Sequence, residues 1–216
     1  MSKIAIITCH SENMRSVADL TVPSHKAFAD AWGCDHEARV VPQEECLWAK
    51  LNMVSEYLET HELVWWLDTD ALVTESRPEG HPHPPAVDHV IATADINGLN
   101  AGVFAAYSSP RTMRFFHACR TYGKVLFGDR PDADQQTMRY FSLDHPYKGI
   151  IEYVTQRAMN SYWPGAYEYP GCEAAWWEPG DFILHLPGLP NERRVEILNE
   201  ASTMLGTRSP SPESGG

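Results

Sequence analysis

The sequence lacks long apolar runs: no segment of its 216 residues approaches the roughly eighteen uninterrupted apolar residues that a membrane-spanning helix needs. Its first ten residues, MSKIAIITCH, have neither the apolar length nor the cleavage site of a signal peptide. We therefore expect a protein without a membrane span that remains in the cytoplasm.

Paired cysteine motifs and an excess of basic side chains are absent too. The five cysteines, an odd number, include no C-x-x-C spacing, which argues against a disulfide framework and against a zinc ribbon. With 17 basic and 29 acidic residues, the chain has a formal charge of −12 that would repel a phosphate backbone. Nucleic acid is therefore not the first partner to expect, although a local basic patch would change that balance.

The sequence does contain enough apolar residues for one core. A hydrophobic content of 43% in 216 residues is typical of a single globular domain, which we place at residues 1–205. Residues 206–216 are of low complexity and are expected to be disordered. Residues 76–88 are rich in proline and predict a surface loop, so their HPHPP stretch is better explained as extended chain than as a metal site.

Strands and helices alternate along the chain. The first predicted elements are a strand at 3–10, a helix at 23–32 stopped by Gly33, a strand at 36–41, a helix at 46–60 and a strand at 63–67. Further strands are predicted at 89–95, 101–108 and 181–186, and helices at 109–123, 132–141 and 191–205. This order predicts an α/β fold with a mainly parallel central sheet flanked by helices, in which ligands gather beyond the carboxyl ends of the strands.

Two aspartates, Asp68 and Asp70, end the apolar run at 63–67. Neighbouring carboxylates on a buried strand need compensation, and at a strand end both can turn toward one divalent cation, which can also hold a diphosphate. The alternative is that Asp68 turns or caps the chain while Asp70 is a solvated loop residue. The apolar residues on both sides of the motif favour the metal interpretation.

A phosphatase of the haloacid dehalogenase type is a second interpretation of the D-x-D motif. In that family the first Asp is a nucleophile, and a downstream Lys and an acidic G-D-x-x-x-x-D motif complete the site. Lys124 and residues 128–134 would supply these groups, with Asp68 as nucleophile. Against this interpretation, the family usually opens with its D-x-D strand, whereas here that strand comes third and Ala71 follows the motif.

Five motifs, in order, resemble a different family. They are WAKLNMVSEYL, VWWLDTDALV, LNAGVFAAYSSP, DQQTMRYF and HLPG, and they cover most of positions 3 to 190. The sequence resembles the GT-A glycosyltransferases, in the branch with yeast galactosyl- and α-1,6-mannosyltransferases and plant xyloglucan xylosyltransferases. The resemblance implies a Rossmann-like fold and metal-dependent transfer of a sugar from a UDP- or GDP-sugar to an acceptor hydroxyl, with retention of configuration. An inactive member that binds a sugar nucleotide or glycan is the remaining alternative.

The resemblance also implies a metal centre. Asp68, Asp70 and His185 would hold Mn²⁺, or Mg²⁺, against the diphosphate of the donor, and an imidazole among oxygen ligands favours Mn²⁺. Gly188 would let the backbone approach the phosphates. The alternative for His185 is an ordinary histidine at a strand end.

The resemblance further implies residues for donor binding and catalysis, with Thr8, Cys9 and His10 placed by the loop after the first strand. The residues expected to bind the donor nucleotide are Thr8, Cys9, His10, Lys50, Asp68, Gly102 and Gly188. The residues expected near the reacting sugar are Asn100, Asp134 and Gln135, and Asp95 is a further candidate for its hydroxyls. A turn residue is the alternative for Asn100, a helix cap for Asp134 and a strand end for Asp95. An exposed helix lysine is an equal alternative for Lys50, and a purely structural role is an equal alternative for Thr8, Cys9 and His10.

The acceptor is expected to be a glycan or another hydroxyl-bearing molecule. Aromatic faces suit the C–H surfaces of sugars, although aromatic residues also fill cores. The residues expected to form an acceptor platform are Tyr162, Trp163, Tyr167, Trp176 and Trp177.

Overall fold

The computed structural model describes residues 3–75 and 89–206. The predicted loop at 76–88 lies outside these residues, as does the predicted tail apart from Gly206, which ends the last helix. The strands are β1 (Ile4–His10), β2 (Asp35–Val40), β3 (Leu63–Leu67), β4 (Ala71–Val73), β5 (Val90–Asp95), β6 (Gly98–Tyr107), β7 (Ile151–Val154), β8 (Ser161–Tyr162) and β9 (Ile183–His185). The α-helices are α1 (Arg15–Trp32), α2 (Cys46–Leu58), α3 (Pro110–Phe127), α4 (Ala133–Leu143), α5 (Gln156–Met159) and α6 (Asn191–Gly206).

A six-stranded sheet forms the centre of the fold, in the order β2-β1-β3-β6-β5-β7. Strand β6 pairs antiparallel with β3 and β5, and the remaining pairs are parallel. Five of these six strands therefore run in one direction. The mainly parallel α/β sheet predicted from the sequence is confirmed.

Strand β3 is apolar throughout because the sheet is covered on both faces. All five of its residues are buried. Val64 and Trp66 pack into the core on the side of α2 and α3, whereas Trp65 packs with Phe28 of α1 on the other side. The chain leaves the sheet at Asp68, on the same edge where β1 ends at His10.

A smaller sheet, in the order β4-β9-β8, continues from the aspartate motif. Its antiparallel register pairs Ala71 with His185. The backbone N–H of Leu186 also donates to the backbone oxygen of Asp70 at 3.1 Å. This pairing brings the late histidine, far away in sequence, to the carboxyl end of β3.

Helix α1 begins at Arg15, so the prediction that it starts at Pro23 was wrong. Pro23 lies inside the helix, where it lacks the N–H for one helical hydrogen bond. The buried face that includes Val17 and His25 has the spacing of an amphipathic helix, and its packing outweighs that loss. Gly33 stops the helix in the left-handed conformation, with φ of 64°, as predicted.

Helix α3 continues through Gly123, which was predicted to stop it, and ends before Gly128. A Cβ atom on Gly123 would lie 2.7 Å from Trp48 and 2.8 Å from Thr137. This glycine therefore allows α2 and α4 to approach α3 closely. Gly128 has φ of 65°, which residues with a side chain rarely adopt, and its N–H donates to Lys124 O at the end of the helix.

The other elements lie near their predicted positions. Strand β6 begins at Gly98, earlier than the predicted 101, and α2 ends at Leu58 rather than at 60. Strand β9 is limited to Ile183–His185. None of the helices in the described residues combines the length with the apolar character that crossing a bilayer requires.

Candidate functional site

Nine residues predicted to form the site line one cavity, which we call the metal cavity. They are Lys50, Asp68, Asp70, Asn100, Gly102, Asp134, Gln135, His185 and Gly188. An adjoining cavity shares Lys50, Asp68 and Asp70 with it and also contains Cys9 and His10. Thr8 lines neither of these cavities, because it is fully buried within β1.

Asp68, Asp70 and His185 form a group that could hold a metal ion. One ligand atom from each lies within 4.8 Å of the others. The backbone fixes the aspartates, since the N–H of Asp68 donates to Gly102 O at 2.7 Å and the N–H of Ala71 donates to Asp68 O at 2.9 Å. Asp70 is 7% exposed and His185 is 1% exposed. The site is thus formed by the end of β3, the end of β9 and Gly102 of β6.

A buried amide orients His185. Its Nδ1 lies 2.6 Å from Asn160 Oδ1, and the amide nitrogen of Asn160 donates to Thr93 Oγ1 at 3.0 Å. Because an amide oxygen only accepts, the proton of neutral His185 is on Nδ1 and Nε2 keeps its lone pair. Nε2 lies 3.2 Å from Asp70 Oδ1 and has no hydrogen-bond partner of suitable geometry in the described part of the chain. A buried nitrogen with a free lone pair beside two carboxylates fits a metal ligand.

Lys50 is a buried cation that joins two carboxylates. Its Nζ lies 2.9 Å from Asp68 Oδ1, 2.6 Å from Asp134 Oδ2 and 3.0 Å from Ala101 O. Burial lowers the pKa of Lys50, but Asp134 and Asp68 outweigh burial and hold that pKa above its ordinary value. The indole N–H of Trp66 donates to the same oxygen of Asp68 at 2.7 Å. Lys50 therefore fixes the position of Asp68 relative to Asp134.

The two aspartates of the motif differ in acidity. Burial raises the pKa of Asp68 above its ordinary value, and the attraction of Lys50 offsets only part of this effect. Burial acts on Asp70 as well, but the charged form of His185 and the guanidinium of Arg194 outweigh it and lower the pKa of Asp70 below its ordinary value. Asp70 is therefore the more strongly ionised of the two carboxylates.

Arg194 is a site residue that the sequence analysis missed. Its Nη2 lies 2.8 Å from Asp70 Oδ2, while Nε donates to Leu186 O at 3.1 Å and Nη1 donates to Asn191 Oδ1 at 2.9 Å. The side chain is 13% exposed and lines the metal cavity. Arg193 and Arg194 stand in the first turn of α6, where the helix dipole disfavours cations, and this pair was the available sequence signal.

Asp134 and Gln135 face the cavity from the first turn of α4. Asp134 is 4% exposed and pairs with Lys50, whereas Asp132 occupies the N-cap position without a side-chain capping hydrogen bond. The side-chain oxygen of Gln135 accepts from the N–H of Ala101 at 3.1 Å. The start of α4 is therefore tied to β6 through the site.

Asn100 belongs to a fixed polar network and not to a turn. Its amide nitrogen donates to Asp95 Oδ2 at 2.9 Å and to the hydroxyl oxygen of Tyr162 at 3.1 Å. The Tyr162 hydroxyl donates to Asp95 Oδ2 at 2.8 Å, and the N–H of Gly102 donates to Asn100 Oδ1 at 2.9 Å. Burial and the nearby Asp95 raise the pKa of Tyr162, so its hydroxyl stays protonated as the donor.

A third cavity, of about 590 Å³, opens beside this network, and we call it the tyrosine cavity. It shares Asn100, Gln135, Pro187 and Gly188 with the metal cavity. Its other lining residues are Asp95, Ile96, Asn97, Tyr162, Ala166, Tyr167, Glu168 and Tyr169. The three cavities therefore adjoin one another, with the metal cavity sharing residues with both of the others.

The predicted aromatic platform is only partly present. Trp163 and Trp177 are 7% and 3% exposed and stack on each other at 5.8 Å inside the core of the smaller sheet, so assigning them to an acceptor was wrong. That sheet needs large apolar residues to bury its face against α6. Tyr162 and Tyr167 line the tyrosine cavity, and Trp176 is not among its lining residues.

The groups required by the phosphatase interpretation are not assembled. Lys124 is 60% exposed on α3, lies 3.4 Å from Asp129 and lines neither cavity that contains Asp68.

Sequence comparison identifies one family for this chain. The model of the galactosyl transferase GMA12/MNN10 family matches residues 79–196. The matched residues include Asn100, Asp134 and His185. They do not include Asp68 and Asp70, because the match begins at residue 79. No curated protein gave a significant match.

Solved structures show the same fold. A glycosyltransferase involved in glycosylating the major capsid of PBCV-1 is 14% identical, with a TM-score of 0.73 over 92% of this chain and 99% of that chain. The galactosyltransferase LgtC, solved with donor and acceptor sugar analogs, is 13% identical, with a TM-score of 0.61 over 97% of this chain and 98% of that chain. The glycosyltransferase GlyE of Streptococcus pneumoniae TIGR4 is 14% identical, with a TM-score of 0.65 over 95% of this chain and 63% of that chain.

Proposed function

We propose, because the chain belongs to the galactosyl transferase GMA12/MNN10 family, that it transfers a sugar from a UDP- or GDP-sugar to an acceptor hydroxyl in a metal-dependent reaction with retention. The enzyme class, a glycosyltransferase, and the GT-A fold predicted from the five motifs are confirmed by the family and by the structural matches. The donor, the metal and the stereochemistry are proposals argued from the site.

One observation carries the metal proposal: the buried Nε2 of His185 has no hydrogen-bond partner of suitable geometry among the described residues, and both motif aspartates lie next to it. Asp68, Asp70 and His185 would hold the ion, and the mixed oxygen and imidazole set favours Mn²⁺. When bound, such an ion would neutralise the negative charge that develops on the leaving diphosphate. Asn160 would keep the imidazole aimed at the ion.

The adjoining cavities suggest how the donor would lie. Cys9 and His10 line the cavity next to the metal cavity and would contact the nucleoside. Gly188 has φ of 73° and no Cβ, so its backbone can approach the diphosphate closely. Asp95 and Asn100, fixed by their mutual hydrogen bond, would bind hydroxyls of the donor sugar.

Asp134 and Gln135 would act at the reacting carbon. Lys50 holds the carboxylate of Asp134 at the cavity wall, where its negative charge would stabilise an oxocarbenium-like sugar. In a reaction with retention the leaving phosphate can accept the proton of the acceptor on the same face. No separate general base is then required, and these side chains would orient the acceptor.

The tyrosine cavity is the best candidate for the acceptor. It shares Asn100 and Gln135 with the metal cavity, and Tyr167 offers a ring to a sugar face. Its ionisable lining residues include Asp95 and Glu168, and its lining includes no lysine or arginine among the described residues. This charge favours a neutral glycan over a phosphorylated acceptor.

A thermal-shift panel tests donor and metal together. UDP, GDP, ADP and CMP are added to the protein with and without Mn²⁺, because a ligand of the native state raises the melting temperature. We expect one of UDP and GDP to raise it only with Mn²⁺, and Asp70→Asn to abolish that shift. Asp132→Asn is the matched control, since Asp132 lines the same cavity outside the proposed ligand set and should keep the shift.

Three results would contradict the proposal. The absence of a shift with every nucleotide in a folded sample would remove the donor assignment, and Mg²⁺-dependent phosphate release from a phosphomonoester would favour the phosphatase. Donor binding without hydrolysis or transfer would instead favour the inactive sugar-binding alternative.

A further inference from the structure

The charges around the metal cavity are already largely compensated by the protein. Lys50 faces Asp68 and Asp134 at 2.9 and 2.6 Å, and Arg194 faces Asp70 at 2.8 Å. Asp132, the fourth carboxylate that lines the cavity, pairs with Arg130 at 2.8 Å, so four carboxylates are matched by three cations. A divalent ion that arrives alone gains only a weak net attraction from this cluster, whereas a nucleoside diphosphate would bring the missing negative charge.

The two oxygens of Asp70 have different neighbours. Oδ1 lies on the side of His185, with Nε2 at 3.2 Å, and Oδ2 is held by Arg194 at 2.8 Å. Asp70 therefore presents one oxygen to the proposed metal ligands while the other is neutralised by a guanidinium. Arg194 sits within direct reach of the charge that attracts the metal.

Arg194 also keeps donor capacity for a ligand. The guanidinium has five N–H groups. Nε donates to Leu186 O, Nη1 donates to Asn191 Oδ1 and makes a weaker contact with Met14 Sδ at 3.8 Å, and Nη2 donates to Asp70 Oδ2. One N–H of Nη2 is left after these four contacts, and the side chain lines the metal cavity. Lys50, by contrast, directs its ammonium at three protein oxygens, from Asp68, Asp134 and Ala101.

We propose that Arg194 couples the binding of the metal to the binding of the diphosphate, by neutralising Asp70 before the donor arrives and by donating to a diphosphate oxygen afterwards. Arg194 is thus a positioning residue for Asp70 and a binding residue for the donor. The inference rests on the function proposed above. It adds that the two ligands bind cooperatively, so Mn²⁺ binds weakly alone and tightly together with the nucleotide.

Calorimetry measures this coupling directly. Mn²⁺ is titrated into the protein alone and into the protein saturated with the nucleoside diphosphate chosen by the thermal panel. The ratio of the two Mn²⁺ affinities is the coupling factor. For the natural protein we expect a factor of roughly tenfold or more.

The informative variant is Arg194→Gln, whose amide can still donate to Asp70 while the positive charge is gone. We expect Mn²⁺ alone to bind roughly tenfold more tightly, the nucleotide to bind roughly tenfold more weakly in the presence of Mn²⁺, and the coupling factor to fall toward one. Arg194→Lys keeps the charge and should bind Mn²⁺ alone as weakly as the natural protein. Arg193→Gln is the matched control, because Arg193 is 48% exposed, pairs with Glu196 at 2.9 Å and should change neither affinity.

The outcomes separate this inference from the proposed function. If Arg194→Gln binds Mn²⁺ alone no more tightly than the natural protein, or if Arg193→Gln gives the same changes, the coupling role is overturned. If the natural protein binds no nucleotide even with Mn²⁺, the proposed function fails and takes this inference with it. Folding of each variant is checked by its melting temperature, and Arg194→Lys carries the test of charge if Arg194→Gln does not fold.

Discussion

Gly102→Ala should disable the metal site with a single methyl group. A Cβ atom on Gly102 would lie 2.2 Å from Cε1 and 2.7 Å from Nε2 of His185, and 3.1 Å from Asn100 Oδ1. Real Cβ atoms do not approach other heavy atoms closer than 3.0 Å, so the imidazole must move by at least 0.8 Å, from 2.2 to 3.0 Å. Metal–ligand distances tolerate only about 0.2 Å, so this displacement should remove His185 from the ligand set.

The same substitution should also cost stability, and this cost has a matched control. Overpacking a buried position typically lowers the free energy of unfolding by about 1–3 kcal/mol. Gly123→Ala also creates a clash, although a milder one, 2.7 Å from Trp48 and 2.8 Å from Thr137, outside the metal cavity. Denaturant unfolding should therefore show a loss in both variants, whereas only Gly102→Ala should lose Mn²⁺-dependent nucleotide binding in calorimetry.

One result would refute this reasoning. If Gly102→Ala binds Mn²⁺ and the nucleotide as tightly as the natural protein, then His185 is not a ligand, or the strand can yield without moving it. A loss of binding in Gly123→Ala of equal size would show that general destabilisation, and not displacement of His185, is the cause.

Two further predictions concern the supports of the site. Nε2 of His25 donates to Ala71 O at 2.6 Å and burial lowers the pKa of His25 from 6.5 to about 4, so the unfolded chain takes up the proton first as the pH falls. The free energy of unfolding should therefore fall by about 3 kcal/mol between pH 6.5 and pH 4, and urea titrations should show a smaller decline in His25→Gln. Tyr162→Phe removes the hydroxyl that joins Asp95 to Asn100 and should destabilise the protein by about 1–3 kcal/mol. It should also weaken binding of the intact nucleotide sugar more than binding of the nucleoside diphosphate. Equal weakening of both ligands would contradict a role of Tyr162 at the sugar.

Much of the sheet could be predicted because its sequence signals are local. Five consecutive apolar residues predict the doubly covered strand β3, and the aspartates at its carboxyl end predict a site there. The start of helix α1 at Arg15 was not predictable from local signals in this way. Pro23 is a strong local signal for the start of a helix, and only the packing of residues such as Val17 and His25 against the rest of the fold shows why the helix begins earlier and runs through it.

Two glycines also show that local sequence alone does not determine where a helix ends. Gly123 and Gly128 both follow an apolar helical pattern, and the sequence does not say which one ends the helix. The close approach of Trp48 and Thr137 assigns Gly123 to packing, and the positive φ assigns Gly128 to the helix end. Both assignments depend on contacts between segments far apart in the chain.

The site shows most clearly the difference between residues with a local sequence signal and residues that only tertiary contacts identify. Motif residues such as Asp68, Asp70 and His185 could be named from the resemblance, and the structure places them in one cavity. Their supports had no such signature: Asn160, which orients the imidazole, and Arg194, which pairs with Asp70, are fixed by tertiary contacts alone. In the sequence, Arg194 is indistinguishable from its exposed neighbour Arg193.

Donor turnover by the natural protein and by Asp70→Asn tests whether this site supports metal-dependent sugar transfer. The nucleotide sugar that matches the base chosen by the thermal panel is incubated with the enzyme, with Mn²⁺ or with a chelator, and release of the nucleoside diphosphate is followed. We expect release that requires Mn²⁺ and that falls roughly a hundredfold or more in Asp70→Asn. Release that persists in the chelator, or that proceeds equally fast in Asp70→Asn, would contradict a metal-dependent glycosyltransferase at this site.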